Sequence, residues 1–321
     1  MSEMQHLRSP TATGVHRAAE KISAILPPTP LLPLMIGQTE CRAKAENLQP
    51  IGAFKIRGAW HRLTDLTEAE RKRGVLGVSS GNHAQGVAWA ASQLGIHATI
   101  VMPVDAPAIK LERTRALGAD VILYDRPGGE SRDEVAGRIV ARTGAVLVHA
   151  YADPWVIEGQ GSAGIEIAAQ LGRQPSQIIT CCGGGGLAAG LSLACPDAEI
   201  VTVEPEGWDD VALSLRDGFI RNVSADAPAT ACDALQTLST APINFDILEA
   251  RKVRGVSVTE EQVRDAQRFA FSKLRTVLEP GGAVALAAAL SGVAEIDQDT
   301  VIMMTGGNVD PAAFAQVITE R

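Results

Sequence analysis

The chain has 321 residues, 46% of them hydrophobic and 21% charged, with a formal net charge of −8. An acidic surface attracts neither nucleic acid nor an anionic membrane, and an aromatic content of 4% leaves few rings on which single-stranded bases could stack, so small molecules are the expected partners. Five cysteines, two of them adjacent at Cys181 and Cys182, fit neither a disulfide framework nor a zinc spacing and read as reduced packing residues.

Taken in order, residues 1–14 are polar and expected to fray. They lack the basic-then-apolar order of a secretory signal, and no apolar run in the chain nears the roughly 20 residues that span a bilayer, which predicts a cytoplasmic protein. Ala18, Ala19, Ile22 and Ile25 fall at helical spacing and predict a helix over 16–25, stopped by Pro27-Pro28. An extended proline-rich crossing to Pro33, a strand over 40–46 and a helix over 56–63 follow. From Gly74 the chain alternates: strands over 75–78, 97–102, 119–123 and 145–149 are separated by helices over 84–94, 108–117 and 130–143. The alternation resumes with helices over 161–171 and 187–195, strands over 177–182 and 199–203, an irregular stretch over 207–250, helices over 260–274 and 282–290, and a last strand over 300–304. Strand and helix in turn with short glycine-bearing connections predict parallel sheets covered on both faces, in one or two domains.

Four stretches carry chemistry. Gly52-Ala53-Phe54-Lys55-Ile56-Arg57-Gly58-Ala59 sets a lysine in an apolar segment. A desolvated lysine loses its proton near neutral pH and attacks carbonyls, although a lysine that snorkels at a core edge has the same local pattern. Ser79-Ser80-Gly81-Asn82-His83-Ala84-Gln85-Gly86 joins a strand to a helix, where hydroxyls and free N–H groups suit either a carboxylate or a plain N-cap. Gly183-Gly184-Gly185-Gly186 occupies the same kind of position and suits a phosphate; without a Lys-Ser/Thr or a dinucleotide fingerprint, a small monophosphate fits best. Thr305-Gly306-Gly307-Asn308 ends the last strand with glycines that fit either close approach to a flat ring or a turn. Four acids in Glu204-Pro205-Glu206-Gly207-Trp208-Asp209-Asp210 suit a hard cation or a solvated loop.

Together, in this order, the four stretches resemble the pyridoxal-phosphate enzymes of the tryptophan-synthase-β class, fold type II, and more narrowly the serine/threonine dehydratase and serine racemase family; the similarity runs from about residue 15 to 315. The resemblance implies two open parallel-sheet α/β domains with the active-site cleft between them, a large cofactor-binding domain from residues 1–73 and 150–321 and a small substrate-carboxylate domain from 74–149. It implies that Lys55 holds pyridoxal 5'-phosphate covalently, with Phe54 and Asn82 flanking the ring and Asn82 meeting its phenolic oxygen. Gly183, Gly184, Gly185 and Gly186 would bind the phosphate, Thr305 would meet the pyridine nitrogen, and Ser79, Gly81, Asn82 and His83 would receive the substrate carboxylate. Glu204, the Trp208 carbonyl and Asp210 match the site for Mg2+ or another divalent cation in racemase-like members, and Ser80 stands where racemases carry a second acid/base. Two positions depart from the family: Thr305 replaces the usual serine, and Ala150 replaces the usual proline after His149, so substrate preference does not carry over.

The implied reaction is that of an ammonia-lyase turning a β-hydroxy amino acid such as L-threonine or L-serine into a 2-oxo acid and ammonia. Lys55 would remove the α-proton, and the neutral Thr305 hydroxyl, drawing charge into the ring only in part, favours expulsion of the β-hydroxyl. Dehydration of 3-hydroxyaspartate is the alternative, with Arg132 as candidate partner of a second carboxylate, set against a solvated helix residue; serine racemisation through Ser80 is a third. A non-catalytic metabolite-binding protein would keep the phosphate cradle but has no need of Lys55. A homodimer is the default assembly, and no regulatory domain or inhibition by isoleucine is expected.

Overall fold

The computed structural model describes residues 8–106 and 108–320. Two sheets organise the chain. The larger runs β1-β2-β10-β7-β8-β9, with β1 (Leu31–Ile36), β2 (Thr39–Ala45), β7 (Gln177–Cys181), β8 (Glu199–Pro205), β9 (Arg254–Val258) and β10 (Thr300–Met304). The smaller runs β5-β4-β3-β6, from β3 (Val75–Val78), β4 (Ala98–Pro103), β5 (Asp120–Tyr124) and β6 (Val146–Val148). Every strand pairing is parallel except the β1–β2 hairpin. Strands such as Thr-Val-Ile-Met-Met of β10 are buried along their whole length because helices cover both faces, so they read as continuous apolar runs rather than alternating ones. The protein is thus an α/β fold of two open sheets with a cleft between them. Among the described residues no helix is long and apolar enough to cross a membrane.

The alternating units of the sequence are all present, and the differences have physical causes. Residues 1–7, expected to fray, lie outside the described residues, whereas the next ones are ordered: Thr11 caps α1 (Ala12–Ser23) through Gly14 N–H, and Arg8 and Thr11 both bond the buried Glu158. The proline-rich crossing contains strand β1, an outer strand paired on one side only, where a residue without an N–H is tolerated. Helix α7 (Pro154–Leu171) starts seven residues before the expected 161, since the Asp153 carboxylate caps Trp155 and Val156 N–H with Pro154 at the first helical position. The stretch expected to be irregular holds α9 (Asp210–Asp217) and α10 (Pro242–Ala250), and an outer strand, β9, follows it. All five cysteines are buried and free, as their spacing suggested.

One buried ion network fixes the element that opens at Lys55. In α2 (Lys55–Thr64), the fully buried Arg57 donates through Nε and Nη2 to Glu46, 2.7 Å each, and through Nη1 and Nη2 to Glu166, again 2.7 Å each. Burial alone would raise the Glu46 pKa; the Arg57 guanidinium overrides it and holds the carboxyl at about 2. Lys44 closes the network onto Glu166 at 2.7 Å. Two forked pairs are geometrically exacting, so they clamp α2 to the turn that follows β2 and to α7.

Removing Arg57 strands the fully buried Glu46 carboxylate, whereas Glu166 keeps Lys44. Arg57→Ala should lower unfolding free energy by about 3–5 kcal/mol, the usual cost of breaking a buried pair from one side. Urea unfolding followed by circular dichroism measures it, and a loss below about 1 kcal/mol would contradict this role for the network.

Candidate active site

The first and last motifs of the chain are knitted together by backbone. Phe54 N–H donates to Thr305 O at 3.1 Å, Gly307 N–H to Gly52 O at 2.9 Å, and Ala53 bridges Gly306. This puts Lys55, the first residue of α2, at the end of β10 and beside β7. Its Nζ donates to Ala150 O at 2.8 Å and lies 5.0 Å from the centre of the Phe54 ring. Burial disfavours its charged form and lowers its pKa to about 8, with the Cys181 and Cys182 sulfurs opposing in part.

The glycine loop faces Lys55 across the same cleft. It runs from the end of β7 into α8 (Gly186–Ala194), and Gly185 takes φ +89°, which a side chain would strain. The Gly184 carbonyl is held from behind by Asn244 Nδ2 at 2.6 Å and Thr240 Oγ1 at 3.1 Å. A β-carbon on Gly184 would overlap the Tyr151 ring, so the loop is both fixed and bare, with the N–H groups of the helix start free for an anion.

Helix α4 (Asn82–Leu94) forms the opposite wall from the smaller sheet, and Gly86 lets its first turn lie against the Lys55 carbonyl. Ser79 Oγ accepts Gly81 N–H at 3.1 Å, and Ser79, Ser80 and Gly81 all line the cleft. The His83 side chain is engaged away from the cleft's polar groups. Its Nε2 donates to Val148 O at 2.8 Å, and burial lowers its pKa to about 3, so the ring is neutral with its proton on that nitrogen. Only its backbone N–H, in the first turn of α4, is left for a carboxylate.

Thr305 is buried with its hydroxyl 3.3 Å from Cys181 Sγ, and the cleft reaches it. Asn82 is fixed at both ends of its amide: Nδ2 donates to Glu279 Oε1 at 2.6 Å, and Oδ1 accepts Asn308 Nδ2 at 2.8 Å. Glu279 was not singled out in the sequence; it also lines the cleft, and burial raises its pKa to about 7. Neither sequence explanation of the Thr305-Gly306-Gly307 glycines is needed, because a β-carbon on Gly306 would overlap the Glu279 carboxylate and one on Gly307 would meet Val277 O. Arg132, at the start of α6 (Arg132–Thr143), is half exposed on the cleft wall, 3.6 Å from Asp133.

The acidic loop departs most from expectation. Glu204 and Asp210 are buried together, but both Glu204 oxygens accept backbone N–H groups, from Val211 at 3.0 Å and Ala212 at 2.8 Å. Trp208 turns its indole to Pro228 O at 2.7 Å. Asp210 Oδ2 accepts Thr240 N–H at 2.9 Å, while Oδ1 is buried without a hydrogen-bond partner among the described residues, and burial lifts its pKa to about 7. Among the described residues no group of three or more His, Cys, Asp or Glu gathers to hold a metal, so any cation would rest on few carboxylates and on carbonyls.

Residues 22–306 match the family described as pyridoxal-phosphate dependent enzyme. The chain is 37% identical over 320 residues to serine racemase of Schizosaccharomyces pombe, covering 97% of this chain and 98% of that one. It is 37% identical over 313 residues to L-threo-3-hydroxyaspartate ammonia-lyase of a Pseudomonas species, covering 95% and 97%. Among solved structures it is similar to the threonine deaminase of T.th., with a TM-score of 0.86, 40% identity, and 94% and 99% of the two chains covered.

An amine titrating near 8 can be told from an ordinary lysine near 10.4. In competitive acetic anhydride labelling of the protein freed of small molecules, the Lys55 peptide should reach half-maximal reactivity at pH about 8, the value to which burial lowers it. A midpoint above pH 10 contradicts the desolvated amine.

Proposed function

This chain belongs to the pyridoxal-phosphate-dependent enzymes and is a lyase of that family, and we propose that it releases ammonia from a β-hydroxy amino acid such as L-threonine or L-serine, leaving a 2-oxo acid. The observation that carries the reading is that a desolvated lysine amine, a bare glycine loop at a helix start and a buried hydroxyl line one cleft. The fit to the cofactor is chemical: an amine near neutrality suits an aldehyde, and a loop cleared of β-carbons suits a phosphate. When bound, the cofactor supplies that aldehyde and an electron-withdrawing ring that acidifies the substrate's α-carbon.

In this reading Lys55 Nζ, oriented by the Ala150 carbonyl, accepts the α-proton. The glycine loop would hold the phosphate, Asn82 would offer an N–H to the ring oxygen, Phe54 would pack beside the ring, and the Thr305 hydroxyl would serve the ring nitrogen. The substrate carboxylate lies on the Ser79 hydroxyl and the first-turn N–H groups of α4. The Ser80 hydroxyl on the cleft wall is the group through which racemisation would run.

A second reading, 3-hydroxyaspartate as substrate, is favoured by Arg132, which lines the cleft and has a loose ion pair, 3.6 Å, with Asp133. Rates of oxo-acid formation from L-threonine, L-serine and L-threo-3-hydroxyaspartate, before and after Arg132→Ala, separate the two. On the first reading the threonine and serine rates lead and move less than about threefold; a leading hydroxyaspartate rate that falls about 30-fold or more with Arg132→Ala, the weight of a lost charged hydrogen bond, decides for the second. Chiral analysis of residual serine tests racemisation.

The partnerless Asp210 Oδ1, with Glu204 and the Trp208 carbonyl, is the proposed seat of a divalent cation. Asp210 has a folded pKa raised from 3.8 to about 7, so the stability it lends below pH 3.8 is lost as pH rises through 7, and a cation replaces it there. Millimolar Mg2+ should raise the melting temperature by several degrees at pH 8, by much less at pH 6, and not at all in Asp210→Asn. An equal rise in both proteins contradicts the site.

A further inference from the structure

The residues around Asn82 form a chain of amides with a fixed direction. At one end, Ile51 O can only accept, so Asn308 must present Nδ2 to it, at 2.8 Å. The same Nδ2 donates to Asn82 Oδ1 at 2.8 Å, which leaves Asn82 Nδ2 pointing to Glu279 Oε1 at 2.6 Å. Backbone N–H of Asn308 also donates to the Glu279 carboxylate, so both neighbours of this carboxyl are donors. Asn82 Nδ2 carries two protons, and Glu279 takes one. Asn82 lines the cleft beside Lys55 and Thr305, and its second N–H is the one available there.

We propose that Glu279 is a positioning residue: its carboxylate locks the Asn82 amide in the orientation that delivers an N–H, rather than a carbonyl, to an oxyanion in the cleft. The inference rests on the reading that the cleft holds pyridoxal phosphate, whose phenolic oxygen is the oxyanion concerned. A glutamine at 279 has the same shape but presents an amine to one of two donors. With the amine toward Asn82, either the bond to Nδ2 is lost or the Asn82 amide turns, setting its oxygen toward the cleft and its nitrogen against Asn308 Nδ2; in both cases the orientation is no longer locked. Gly306 belongs to the same device, since only a residue without a side chain leaves room for the Glu279 carboxylate at that depth.

A double-mutant cycle tests this, because a residue acting through Asn82 has nothing to act on once Asn82 is alanine. Two quantities are read in wild type, Glu279→Gln, Asn82→Ala and the double variant: the affinity of the protein stripped of cofactor for added pyridoxal phosphate, from the visible band, and kcat/KM for oxo-acid formation. Glu279→Gln should weaken both about tenfold in the wild-type background and less than about twofold in Asn82→Ala. Equal losses in the two backgrounds overturn the proposal while leaving the cofactor reading standing. A wild-type protein that forms no visible band contradicts the cofactor reading and the proposal with it. If Glu279→Gln does not fold, the same cycle run with Asn308→Ala attacks the chain from its other end, with the same expected and contrary results.

Discussion

Burial of a single amine governs everything else in the cleft. A solvated lysine is about one part in several thousand neutral at pH 7, whereas a pKa lowered to about 8 leaves about a tenth of Lys55 as free amine. Desolvation costs stability, and the surrounding structure must oppose the natural tendency of the side chain to swing out into water. It does so locally, through the Ala150 carbonyl and the Phe54 ring, and at a distance, through Arg57 two residues further along the same helix.

The two sheets divide the remaining work. The larger one supplies fixed groups: Thr305 at the end of β10 and the glycine loop at the end of β7, both at carboxyl ends of parallel strands, where open α/β sheets place their ligands. The smaller one brings the start of α4 against Lys55 through Gly86. Across the cleft mouth, Lys110 of α5 (Ala108–Ala116) pairs with Asp233 of the larger unit. Behind the loop, Asp210 holds Thr240 N–H while Thr240 Oγ1 holds the Gly184 carbonyl, so the acidic pair and the anion cradle are mechanically joined.

Much of this was legible in the sequence, for reasons that are local. A strand, a glycine-rich turn and a helix start are adjacent in the chain, so Lys55, the Gly183 to Gly186 loop and the α4 start announce themselves. What lay hidden depends on distance or on side-chain choice. Glu279 meets Asn82 from 197 positions away, and nothing in Leu278-Glu279-Pro280 distinguishes a working acid from a cap. That the His83 ring is tied to Val148 O, on a strand 65 positions away, is likewise invisible in the sequence. Strand β1 was obscured by Pro33, and β9 lies at the opposite edge, where a short strand covered on few sides loses its apolar signature.

The most direct test is covalent trapping of the purified protein. After addition of pyridoxal phosphate and reduction with borohydride, peptide mapping by mass spectrometry should find one phosphopyridoxyl adduct, on the peptide that carries Lys55. An adduct spread over surface lysines, or placed on any lysine other than Lys55, would contradict the account.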